Sequence, residues 1–278
     1  MTELSTTNAA GGIVGVLGGM GPLATVDFLT KLLAVTPAAK DQEHVPMIVS
    51  AIPQVPDRTQ AFRGEGESPL PSLVDSARRL KAAGAGMLVI ACNTAHLWFD
   101  ELAASIDLPM IHLVDAAIAD AAAIAGRHAR IGLLGTDATI ASGLYVNRET
   151  TDGLQWLLPT AREMTELIMP GIEAVKAGDR DKGRRALVAA ADALRKRGAV
   201  AVILGCTEIP VVLDASNSPL PVVDATAALA RRTVAWSLAQ RAAVLTPSTG
   251  DPQHPAARLD REALSTLVKE PLMTPFLD

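Results

Sequence analysis

The chain has 278 residues, 49% hydrophobic and 20% charged, with a formal net charge of −5. That acidic balance argues against a nucleic-acid surface, and an aromatic content of only 3% argues against binding by ring stacking. The two cysteines form no CxxC pair and no His/Cys cluster at zinc spacing, which excludes a disulfide scaffold and a zinc site.

The first ten residues are polar and carry Glu3, without the basic stretch and apolar core of a signal peptide. No uninterrupted apolar run reaches membrane length. The expectation is a cytoplasmic protein with free thiols and no membrane partner.

Continuously apolar runs bounded by turns predict strands at 13–17, 47–52, 87–91, 110–114, 130–134, 156–158, 199–204 and 222–223. Runs of this kind, rather than alternating ones, suit strands covered by helices on both faces. Helical spacing predicts a helix over 72–83, with Leu73, Ala77 and Leu80 inward and Gly84 as its stop. A second, over 182–197, ends in Arg195-Lys196-Arg197, cations that complement a helix C-terminus. A last helix over about 226–241 is expected to return to the first domain. The Pro- and Gly-rich stretch 246–254 reads as linker. Residues 260–269 form a short amphipathic pattern that would cover the protein's own domain or a partner subunit, as in a homodimer.

The motifs occur twice in one order. Gly15-Val16-Leu17-Gly18 is answered by Gly132-Leu133-Leu134-Gly135 (132 − 15 = 117), Cys92 by Cys206 (206 − 92 = 114), and Val114-Asp115-Ala116 by Val223-Asp224-Ala225 (224 − 115 = 109). The expected fold is therefore α/β, with two similar parallel-sheet domains related by duplication and a cleft between them. The first domain would span 1–116 and be completed by the C-terminal region 225–278; the second would span 117–224.

Each cysteine closes a strand, and ligands of open α/β sheets bind beyond strand carboxyl ends. A strand-to-helix junction offers unpaired N–H groups and a positive helix end, which predicts a thiolate-favouring site with a thiol pKa below about 8.5. Asn93, Thr94 and Thr207 are either caps or carboxylate ligands there. Gly19-Met20-Gly21-Pro22-Leu23-Ala24 fits a dinucleotide pattern, but Pro22 interrupts it and no acidic residue closes the second strand, so no cofactor is expected.

Cys92-Asn93-Thr94-Ala95-His96 and Gly205-Cys206-Thr207-Glu208, with Gly18-Gly19-Met20-Gly21-Pro22 at the start, resemble the aspartate/glutamate racemase superfamily, over about residues 13–240. The aspartate branch fits better, because the glutamate branch typically has an Asp-Ser pair in the first loop and Cys-Thr-His at the second cysteine. The resemblance implies cofactor-independent racemisation of an amino acid, aspartate or a relative, by Cys92 and Cys206 as a two-base pair. It assigns substrate contact to Arg58, which offers a bidentate fork for a carboxylate, and to Met20, Asn93, Thr94, Thr136, Thr207 and, on weaker flanking similarity, Lys176. Thr139 belongs to the same loop as Thr136; for both, helix capping is the alternative. His96 either tunes the thiol or packs, and Glu208 either assists proton traffic or caps a turn. Maleate isomerisation, hydantoin racemisation and malonate decarboxylation are the alternative reactions on such a scaffold, and a non-catalytic binding protein is the alternative of another class. The implied partner is a small amino acid or dicarboxylate.

Overall fold

The structure, a computed structural model, describes residues 11–148 and 153–245. The first half runs β1 (Val14–Gly18), α1 (Pro22–Val35), β2 (Met47–Ala51), α2 (Arg58–Arg63), α3 (Leu70–Ala82), β3 (Met87–Ile90), α4 (Phe99–Ser105) and α5 (Leu113–Ala125). The second half runs β4 (Arg130–Gly135), α6 (Asp137–Ala141) and β5 (Gln155–Leu157). There α7 (Ala161–Glu163) passes through a π-turn, Met164–Ile168, into α8 (Met169–Lys176). The chain ends in α9 (Arg180–Lys196), β6 (Ala201–Gly205), β7 (Val222–Asp224) and α10 (Ala225–Leu245). The pattern over 260–269 lies outside the described residues.

Every strand pair is parallel, in two sheets ordered β2-β1-β3 and β5-β4-β6-β7. An isolated parallel bridge between Leu88 and Met110 stands in the first sheet where β7 stands in the second. The registers repeat as well: Val14 faces Met87, and Ile131 faces Ala201. Those pairs are related by 131 − 14 = 117 and 201 − 87 = 114, the same shifts that relate the glycine motifs and the cysteines. The fold is thus a duplicated, two-domain parallel α/β arrangement.

One expectation fails in detail. The run 110–114 is not a strand beyond Met110, because Val114 N–H donates to His112 Nδ1 at 3.2 Å, capping α5 one residue earlier. The apolar residues Leu113 and Val114 are buried by a helix instead of a sheet.

Three apolar clusters hold the layers together. The central one joins β1, β3, β4 and β6 through residues of α1, α5 and α10, among them Phe28, Leu113, Ile118 and Leu229. The outer two lie under α3 and α4, and under α8 and α9. Helix α5 packs on β6, and α10 packs on both α1 and α5. Among the described residues no helix is long and apolar enough to cross a membrane.

An ion cluster pins the start of α10 to α1. Lys31 Nζ meets Asp224 Oδ2 at 2.6 Å, donates to Thr226 Oγ1 at 3.0 Å, and also pairs with Asp27. Burial pulls the Lys31 ammonium down, but the Asp224 and Asp27 charges outweigh it and its pKa is raised. Burial pushes Asp224 up, yet Lys31 and donors from Thr226 and Ala227 leave it lowered. Asp27 is raised, chiefly by burial. Lys31→Met would leave two carboxylates facing each other without their cation, and should cost about 3 kcal/mol. The loss should appear as a lower urea midpoint at unchanged slope. A depressed Asp224 stabilises the fold above its unfolded pKa, and a raised Lys31 does so below its own. The difference from the wild type should therefore be full across neutral pH. It should shrink as pH falls through the Asp224 pKa or rises through the Lys31 pKa.

Candidate active site between the two sheets

Five loops at strand carboxyl ends, those after β1, β2, β3, β4 and β6, meet between the sheets. The β1–α1 loop is pressed against β2: Gly19 has φ +89°, and a Cβ there would lie 2.4 Å from the Ile52 backbone nitrogen. Only glycine fits that conformation and that contact. Thr25 Oγ1 accepts from Gly19 N–H at 2.8 Å and donates to the Gly21 carbonyl at 2.9 Å, which fixes the loop. Met20 is consequently buried at the cleft.

Asp57 opens the next wall by capping α2, accepting from the N–H groups of Thr59 and Gln60 at 2.8 and 2.9 Å. Arg58 follows. Its Nη1 donates to the carbonyls of Val55 and Pro56 at 3.2 and 3.0 Å, and its Nη2 to that of Met20 at 3.4 Å. The expected bidentate fork is therefore partly occupied by backbone, which takes three of its five N–H groups. One Nη2 hydrogen remains, and Nε is buried without a partner.

Cys92 ends the third loop, with Asn93 and Thr94 after it, all buried. Asn93 forms no side-chain cap. Its Oδ1 accepts from the Tyr145 hydroxyl at 2.5 Å, and its Nδ2 is buried without a partner. Burial raises the Tyr145 pKa, so this phenol stays protonated and donating. Thr94 Oγ1 lies 3.0 Å from Thr136 Oγ1 and 3.3 Å from Thr139 Oγ1, joining the two halves through hydroxyls. Thr136 also caps α6, accepting from Thr139 N–H at 3.2 Å. For Thr136 capping and cleft lining therefore coincide.

His96 does not face the cleft. Leu113 N–H donates to its Nε2 at 3.2 Å, so its proton sits on Nδ1, which donates to the Cys92 carbonyl at 2.8 Å. Burial lowers its pKa to about 4. His96 is a neutral tether between Cys92 and the start of α5.

Cys206 supplies the opposite wall. Its thiol donates to Glu208 Oε2 at 3.0 Å, and Thr207 Oγ1 donates to the same oxygen at 3.4 Å. The other carboxylate oxygen accepts Gly21 N–H, from the far half of the molecule, at 3.2 Å. Glu208 makes no side-chain cap, so it serves the thiol and not the turn. Burial, then the Glu208 charge, push the Cys206 thiol well above its ordinary pKa. This overturns the expectation of a depressed value. The segments after both cysteines are short 3-10 turns, Thr94–Trp98 and Ile209–Val211, and not the long helices a dipole argument needs. Burial lowers the Lys176 ammonium pKa, but Glu208, Cys206 and Cys92 reverse this and leave it raised.

The nine residues to which the resemblance assigns catalysis or substrate contact (Met20, Arg58, Cys92, Asn93, Thr94, Thr136, Lys176, Cys206 and Thr207) line one cavity with Asp57, Thr59 and Glu208, while Thr139 and His96 are not in its lining. Its volume is about 10 Å³, room for roughly one water molecule. Sequence reasoning missed Tyr145, the chain's single tyrosine, which stands in no recognisable motif.

The family model described as Asp/Glu/Hydantoin racemase matches residues 17–233. The chain is 26% identical over 231 residues to the broad specificity amino-acid racemase RacX of Bacillus subtilis, covering 82% of this chain and 99% of that protein. It is similar to the structure of aspartate racemase from Picrophilus torridus, with 32% identity and a TM-score of 0.73 over 81% of this chain and 93% of that one. Glutamate racemase from Thermus thermophilus shares the fold at 21% identity, with a TM-score of 0.55 over 94% of each chain.

Proposed function

Since the chain belongs to the Asp/Glu/Hydantoin racemase family, we propose that it racemises a free amino acid, aspartate or a relative of it, with Cys92 and Cys206 as the two acid–base groups and without a cofactor. One observation supports this most. Two thiols share one narrow cavity with two buried donors that lack acceptors, Asn93 Nδ2 and Arg58 Nε. A buried unpaired donor is costly, and a substrate carboxylate is the acceptor that would satisfy both.

In this reading the Cys92 thiolate takes the α-proton on one face. The electron pair of the broken C–H bond delocalises into the carboxylate, held by those donors and offset by Lys176. The Cys206 thiol, which carries its proton toward Glu208, delivers that proton to the opposite face. The turnover leaves Cys92 as thiol and Cys206 as thiolate, and the reverse direction starts from that state: Cys206 takes the α-proton and Cys92 delivers its own. Thr94, Thr136 and Thr207 line the floor and orient the substrate.

The test is proton NMR in deuterated water with single-enantiomer amino acids, followed by chiral chromatography. The α-proton signal should disappear as the opposite enantiomer accumulates. Absence of exchange with every amino acid tried, beside turnover of a hydantoin or of maleate, would overturn the reading.

A further inference from the structure

A second cavity, of about 480 Å³, adjoins the first and is walled in part by the same residues, Asp57, Arg58, Lys176 and Glu208. Beyond them its lining is apolar: Leu23, Pro53, Val55 and Val175. That volume falls in the range of about 300–1,000 Å³ typical of small-molecule sites. We propose that this chamber receives the side chain of the amino acid being racemised, and that the side chain is longer than that of aspartate and mainly apolar. The inference rests on the racemase reading above.

Three observations converge. The cavity between the cysteines has room for about one water, so it must widen even to take the α-carbon with its amino and carboxylate groups and offers no room for a side chain. The adjoining chamber is the space into which that side chain would extend. A second carboxylate placed there would have to compete for the Arg58 fork with the carbonyls of Val55, Pro56 and Met20, which already take three of its five N–H groups. Hydrocarbon placed against Leu23, Pro53, Val55 and Val175 meets hydrocarbon, and each methylene moved from water to that part of the wall contributes about 0.8 kcal/mol.

The experiment compares kcat/KM for methionine, leucine and phenylalanine with that for aspartate and alanine. The wild type should turn over the long side chains at least as well as aspartate. Leu23→Phe, which fills the chamber from α1, should lower the long-to-short ratio by about tenfold or more, and Leu23→Ala should move the ratio the other way. Leu23 also packs against the apolar cluster of the second half. Pro53→Trp therefore repeats the filling from an exposed loop position, where folding is not at stake. A ratio unmoved by any of the three variants, or an equal fall for long and short substrates, would show the chamber to be a passage and sink the proposal. Racemisation of aspartate alone by the wild type would sink it while leaving the racemase reading intact. Absence of α-proton exchange with every amino acid would remove both.

Discussion

Cys92→Ser and Cys206→Ser should each abolish racemisation, yet each should retain exchange of the α-proton in one enantiomer only, and the two variants should prefer opposite enantiomers. A serine hydroxyl is far less acidic than a thiol, so it neither stores a negative charge in this site nor takes a proton from carbon. The remaining cysteine still reaches one face. It removes the proton, exchanges it with solvent and returns deuterium to the same face, so label enters without inversion. The loss of inversion should exceed the 10²–10⁴-fold typical of a single acid–base group, because the partner cannot complete the turnover alone (about 3–5 kcal/mol or more). Deuterium exchange monitored separately for each enantiomer distinguishes the cases. Inversion at wild-type rate in either variant would return that cysteine to a packing role. Alkylation adds a second readout: Cys206 should react only at a pH above that of an ordinary thiol, since burial and Glu208 keep its proton in place.

Glu208→Gln is the second large effect. The carboxylate accepts from two sides at once, from Cys206 on Oε2 and from Gly21 on Oε1. An amide has one accepting oxygen, so it serves one donor and turns an N–H group toward the other. Cys206 then loses either its proton acceptor or its positioning. We expect kcat/KM to fall by about 10²-fold. The fall must be equal in both directions, because the enantiomers are equally stable and the ratio of the two kcat/KM values is fixed at one. The pH dependence should change as well. The Glu208 charge helps to raise the Cys206 thiol, so its removal should lower the pH at which Cys206 is alkylated. Unchanged kcat/KM together with an unchanged alkylation profile would leave Glu208 a structural contact between the two halves.

Much of this architecture is legible in the sequence, because the signals that carry it are local. Continuous apolar runs report strands covered on both faces, and the recurrence of Gly15–Gly18 at Gly132–Gly135 reports the duplication that the strand registers repeat. The cleft residues are legible through the two cysteine motifs and the resemblance they carry. What stays hidden depends on distance along the chain. Tyr145 reaches Asn93 across 52 positions, and Gly21 reaches Glu208 across 187. Neither contact leaves a periodic trace. The electrostatics are hidden for the same reason. A strand-end cysteine looks activated until burial and a neighbouring carboxylate are known, and Arg58 looks like a free anion ligand until three backbone carbonyls are found on it. The run 110–114 misleads because an apolar stretch is silent about whether a sheet or a helix will bury it.

Room for about one water is too little for an amino acid, so the gap between the cysteines must widen to admit one. Four of the polar contacts across it are Thr94 on Thr136, Tyr145 on Asn93, Glu208 on Gly21, and the Arg63–Asp137 ion pair at the edge between α2 and α6. At roughly 1 kcal/mol each, they would hold the open form to on the order of one molecule in a thousand, and apparent affinity would fall by the same factor. Loosening a clasp remote from the thiols would then tighten apparent binding while slowing the chemistry that needs a dry site. Entry and turnover would compete for the same four contacts.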